Sequence, residues 1–180
     1  DLIAARIHHH HQRIDWRRSA LSDRVFIRES EWEAANTLWV WTSASPRMNF
    51  KSTGLSETKA ERAQLLALAM ASLAIRAHER IGGLGSDRQA GYGKSALYRC
   101  AEWLVSNRPD TLPKPLRLQR QSAAVLISDF LDDLSDIQTA LKPLAEAGIQ
   151  GHLVQIVDPI EESFPFEGRI EFAGLDGPLK

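Results

Sequence analysis

The order of the apolar runs constrains this chain more than any single motif. Four short runs are largely free of charge: 37–41 (Thr-Leu-Trp-Val-Trp), 81–84 (Ile-Gly-Gly-Leu), 123–127 (Ala-Ala-Val-Leu-Ile) and 152–157 (His-Leu-Val-Gln-Ile-Val). Runs of this kind are what strands covered on both faces require. Between them lie segments at helical period, 58–80, 95–106 and 136–147. Strand and helix thus alternate along the chain, which predicts an α/β fold: three layers, a mostly parallel sheet with helices on both faces, Rossmann-like.

Local signals support the helices. Thr58-Lys59-Ala60-Glu61 has the spacing of a capping box. Ala63, Leu66, Ala67, Met70, Leu73, Ala74 and Ala77 then form an apolar stripe, expected to face the core, along a helix reaching about Arg80. Gly148 is placed to stop the third helix, and Pro143 lies inside it. Residues 1–36 are polar and arginine-rich, with one short β candidate at Val25-Phe26-Ile27-Arg28. The expected organisation is an N-terminal segment over 1–36 and one α/β domain over 37–180. A proline-bearing connector spans 107–122, and Glu171-Phe172 is a candidate last strand.

Bulk properties exclude several classes. The length of 180 residues suits a domain with a sizeable core. The longest near-apolar run, 65–75, is too short to span a bilayer, so no membrane segment is expected. With one cysteine, Cys100, no intrachain disulfide can form; a buried thiol in a reducing, cytoplasmic setting is the expectation. The net charge of −1 gives no overall attraction to nucleic acid. The charge is unevenly spread, however. Residues 125–180 hold 11 acidic and 3 basic side chains, so the first 124 are net basic. Such a polarity suits presentation of one end to a partner.

In a parallel sheet, ligands bind beyond the carboxyl ends of the strands. The loops after Trp41, Leu84, Ile127 and Val157 define that edge here. The first contains Ser43 and Ser45, and the third begins at Asp129. Other candidates are weaker. Gly93-Lys94-Ser95 resembles the end of a phosphate-binding loop, but Arg88 stands where the motif needs its first glycine. His8 to His11 cannot all point one way, while His78, on the long helix, and His152, opening a strand, have no partner in view. Asp132, Asp133 and Asp136 read as helix-capping acids, with Ser135-Asp136-Ile137-Gln138 at capping-box spacing. No Gly-x-Ser-x-Gly, Cys-x-x-Cys or His-Glu-x-x-His occurs, so no catalytic residue is assigned and no enzyme is expected.

Arg13-Ile14-Asp15-Trp16-Arg17-Arg18-Ser19-Ala20, Val25 to Glu29 and the run 37–41 together resemble the bacterial domain of unknown function 58 family. Leu126-Ile127-Ser128-Asp129-Phe130-Leu131 and Val154-Gln155-Ile156-Val157-Asp158-Pro159-x-Glu161 resemble it too. The stretch between Ile7 and Arg13 is shorter than is usual there. That family is similar to von Willebrand factor type A domains, which hold a metal in an Asp-x-Ser-x-Ser loop with a later aspartate. The resemblance therefore implies a metal set of Ser43, Ser45 and Asp129, with the first aspartate replaced by Trp41. An indole offers no oxygen, so the implied site is degenerate for Mg²⁺ or another divalent cation. Ser86 and Ser95 are candidates for its missing hydroxyl. The resemblance also implies an interaction module, partner or adaptor of a MoxR-type AAA+ ATPase, with Asp15, Trp16 and Arg17 as interaction residues. A metal-dependent ligand-binding domain is the alternative.

Overall fold

The computed structural model describes residues 36–106, 111–114, 118 and 122–169. Outside them lie the β elements expected before residue 36, Asp15, Trp16 and Arg17, His8 to His11, and the candidate strand at 171–172. The described elements run β1 (Thr37–Thr42), a 3₁₀ turn (Pro46–Asn49), α1 (Lys59–Arg76), β2 (Arg80–Gly83), α2 (Gly93–Val105), β3 (Ser122–Ser128), α3 (Leu134–Glu146), β4 (Gln150–Gln155) and α4 (Pro159–Ser163). The strands form one all-parallel sheet in the order β2-β1-β3-β4. This is the predicted α/β architecture. Among the described residues no helix is long and apolar enough to cross a membrane.

Side chains leaving the two sheet faces define two cores. On one face, Val40, Ile81, Val125 and Ile127 pack under Ala63, Ala67, Ala71 and Ala74 of α1 and Ala96, Cys100 and Leu104 of α2. On the other, Trp41, Ala124 and Leu126 pack with Leu84 and with Leu144 of α3. The period of two along β1 sends Val40 and Trp41 to opposite faces. The Cys100 thiol is buried, as expected. Two glycines make room for indoles: a Cβ on Gly82 would lie 2.6 Å from the Trp39 ring, and one on Gly83 would lie 2.3 Å from that of Trp103. β4 closes the described sheet as a largely exposed edge.

Several boundaries and faces differ from the sequence reading. The face of α1 against the sheet is lined by alanines, while Leu66 and Leu73 are exposed. Small side chains let the helix lie close to the strands, and the larger leucines then fall outside the contact. The helix ends at Arg76, and His78 lies beyond it at φ 61°, in the left-handed region. The polypeptide turns there to enter β2 at Arg80. Ser135 does not cap α3; Asp133 stands at the N-cap and Ser135 is already inside the helix. His152 is the third residue of β4 rather than its first.

The capping box of α1 is formed. Thr58 Oγ1 accepts the Glu61 N–H at 3.2 Å, and Glu61 Oε2 accepts the Thr58 N–H at 2.7 Å. The Thr58 N–H, then its hydroxyl, hold the Glu61 carboxyl below its ordinary value. Thr58→Ala is expected to lower the stability to urea unfolding by about 1 kcal/mol, the usual cost of a lost cap.

Candidate functional site

The strand order places a switch point between β1 and β3. The connection leaving β1 leads to β2 on one side, while β3 lies on the other. A crevice forms at the carboxyl ends of two such strands. The loops that meet there carry Ser43 and Ser45 after β1 and Asp129 after β3. The Ser43 N–H donates to the Ile127 carbonyl at 2.9 Å, carrying the ladder past the end of β1 and fixing the two loops side by side.

Both serine hydroxyls are engaged in shaping the loop. Ser43 Oγ accepts the Ser45 N–H at 3.2 Å and donates to the Thr111 carbonyl at 2.9 Å. Ser45 Oγ accepts the Arg47 N–H at 3.3 Å, capping the 3₁₀ turn that Pro46 opens. This turn carries Arg47, whose guanidinium reaches Asp129 and Asp132. Trp41, at the position the resemblance gives to a metal-binding acid, is 1% exposed and packed in the core beneath α3.

Asp129 is 1% exposed, and its two oxygens face different partners. Oδ1 lies 3.4 Å from the Leu131 N–H and 3.4 Å from the Ser128 hydroxyl. Oδ2 lies 3.5 Å from Lys59 Nζ and 3.6 Å from Arg47 Nε. Lys59 is itself 4% exposed, at the first position of α1. Its ammonium donates to Glu161 Oε1 at 2.7 Å and stands 5.8 Å from the centre of the Phe50 ring. Arg47 Nη2 donates to Asp132 Oδ1 at 2.7 Å. Four segments, the turn after β1, the start of α1, the end of β3 and the start of α4, are thereby tied by charge.

Asp158 completes the arrangement from the end of β4. Its Oδ1 accepts the Ile160 N–H and its Oδ2 the Ser52 N–H, both at 2.9 Å, and Glu161 Oε2 accepts the Asp158 N–H at 2.9 Å. Glu161 thus caps α4 with one oxygen and holds Lys59 with the other. Burial raises the Asp158 carboxyl, but the donors from Ile160 and Ser52, with Lys59 nearby, outweigh it and leave the group below its ordinary value. A lowered carboxylate contributes stability that is present above its unfolded value and is lost as pH falls through its folded one. Asp158→Asn is therefore expected to melt below the parent chain at neutral pH. The gap should close as pH falls through and below the ordinary carboxylate range, because the parent carboxyl then protonates too. Melting both proteins across that range checks it.

These donors do not fit a divalent cation. Mg²⁺ and Ca²⁺ take six or more oxygens. Here the Trp41 indole supplies none, and an ion against Asp129 Oδ2 would meet an ammonium and a guanidinium. Among the described residues, no three His, Cys, Asp or Glu side chains converge to hold a metal. Ser43, Ser45 and Asp129 are brought to one edge, as expected, but as members of a hydrogen-bonded and ion-paired network. Ser86 and Ser95 do not join them: Ser86 Oγ accepts the Arg88 N–H in a surface turn, and Ser95 is exposed in the first turn of α2. Gly93-Lys94-Ser95 is no phosphate loop either. Gly91 pairs with Ile81, so the chain doubles back along β2 before α2 begins. A phosphate loop must lead from the strand's carboxyl end straight into its helix.

The model of the family described as protein of unknown function DUF58 matches residues 9–177. The chain belongs to the DUF58 family. No curated protein and no solved structure matches it. Asp129, Asp158 and Glu161 of this DUF58 chain lie in the segments 126–131 and 154–161 that carry the family resemblance, and all three belong to the charged network. Lys59 and Arg47 are not among the site candidates the sequence offers. Lys59 carried one usable signal, a cation in the first turn of a helix, where the dipole disfavours it. Glu161 carried another, since Asp158-Pro159-Ile160-Glu161 has capping-box spacing.

Proposed function

We propose that this DUF58 chain is a non-enzymatic protein-interaction module, the partner or adaptor of a MoxR-type AAA+ ATPase. Its scaffold is von Willebrand factor type A-like, with a degenerate metal site. One observation carries this reading. Among the described residues, the buried carboxylate at the switch point, Asp129, turns one oxygen to Lys59 and Arg47 and the other to the Leu131 N–H and the Ser128 hydroxyl, and faces neither a general base nor a set of oxygen ligands. A general acid or base needs a proton acceptor or donor poised toward a substrate, whereas Asp129 is spent on holding loops together. The alternative, a metal-dependent ligand-binding domain using Ser43, Ser45 and Asp129, is disfavoured because the hydroxyls and the carboxylate already have partners.

The test is direct capture. The purified full chain is immobilised and offered the MoxR-type ATPase encoded nearest to it, with ATP, with ADP and without nucleotide. Saturable retention in at least one nucleotide state is the expected result. Absence of retention in all three would remove the partner from the account.

A further inference from the structure

We infer that the Lys59 ammonium is the resident cation of this edge, a tethered replacement for a divalent ion, so that the assembled loops need no metal. The position of Lys59 calls for an explanation. Lysine is seldom fully buried unless paired, and a cation at a helix start opposes the helix dipole. Burying charges also carries a desolvation cost that only good geometry repays. The surrounding groups supply that geometry. Asp129 Oδ2 comes from the end of β3 and Glu161 Oε1 from the start of α4, 70 and 102 residues from Lys59 in sequence. The Phe50 ring covers a further side, and the Lys59 N–H donates to the Phe50 carbonyl at 3.2 Å, which fixes the start of the helix against that ring. Drawing carboxylates from separate loops to one point is what a bound cation does in an oxygen cage. Here one side chain performs that task, and Arg47 reinforces it at the same Asp129 oxygen.

The inference deepens the reading of a site without metal, and it fails separately from that reading's partner. Cation titration tests Lys59, whereas ATPase capture tests the interaction. The probe is Mn²⁺ added to the full chain, followed by thermal melting and by the paramagnetic resonance of free Mn²⁺. The parent protein is expected to leave the Mn²⁺ signal undiminished and to show the same Tm in chelator and in millimolar Mn²⁺. Lys59→Ala opens the cation position and leaves Asp129 and Glu161 in place. It is expected to melt at lower temperature, and Mn²⁺ should then raise its Tm by linkage, while NaCl at matched ionic strength should not. Stoichiometric loss of the Mn²⁺ signal with the parent protein would overturn the inference. So would a Lys59→Ala protein whose Tm is as indifferent to Mn²⁺ as the parent's. If Lys59→Ala does not fold, Lys59→Gln gives the same readout with less lost volume, and the same two outcomes decide.

Discussion

Asp129→Ala is expected to destabilise the chain by about 3 kcal/mol in urea unfolding, towards the lower end of the range for breaking a buried ion pair. The cost comes less from the contacts removed than from the charges left behind. Lys59 is 4% exposed and, among the described residues, would keep Glu161 alone as an ion-pair partner, and Arg47 would keep Asp132. These remaining partners hold the loss below the upper limit of about 5 kcal/mol. The Leu131 N–H and the Ser128 hydroxyl would lose an acceptor as well. Asp129→Asn tests the division between charge and hydrogen bonding. It keeps an oxygen for those donors and loses only the negative charge, so its loss should be clearly smaller than that of the alanine variant. Equal losses would assign the role of Asp129 to its charge alone, and no loss in the asparagine variant would assign it to its hydrogen bonds.

Trp41→Ala is expected to cost about 3–5 kcal/mol, the range for truncating a buried large aromatic. Among the described residues Trp41 is the largest of the fully buried side chains, and it lies among Leu84, Ala124, Leu126 and Leu144. Calorimetric melting should show the loss with no change in metal response. Trp41→Asp restores the acid that the resemblance places there, yet it should not create a metal site. It would bury a carboxylate without a partner beneath α3, and the expected outcome is loss of folding. The tryptophan therefore does more than remove a ligand: it belongs to the packing of the opposite face of the sheet.

The sequence made the fold class legible because each strand is a short apolar run and each helix keeps its own period. Element ends were less legible, for identifiable reasons. α1 stops at Arg76 because the chain turns through His78 at positive φ, and no glycine marks that turn. β4 begins at Gln150 because its ladder to β3 starts at Ala123, although Gln150 and Gly151 carry no strand signal. The switch-point edge was legible, as were Ser43, Ser45 and Asp129 on it. What these residues do there was not. The decisive contacts join residues 47, 59, 129 and 161, which share no local pattern, and a lysine inside a capping box reads as a solvated helix residue. Only folding shows that the ammonium points inward.

The most direct test of the account is a double-mutant cycle on Lys59 and Asp129. Urea unfolding is measured for the parent chain, Lys59→Met, Asp129→Asn and the combined variant. Methionine keeps much of the apolar stem and removes the charge, and asparagine keeps the shape and removes the charge. If the buried ammonium holds this edge, the two losses should be strongly non-additive, with a coupling of about 1–3 kcal/mol and the double variant more stable than the sum of the single losses predicts. Losses that simply add, within about 0.5 kcal/mol, would contradict the claim that Lys59 is the cation on which the edge is built.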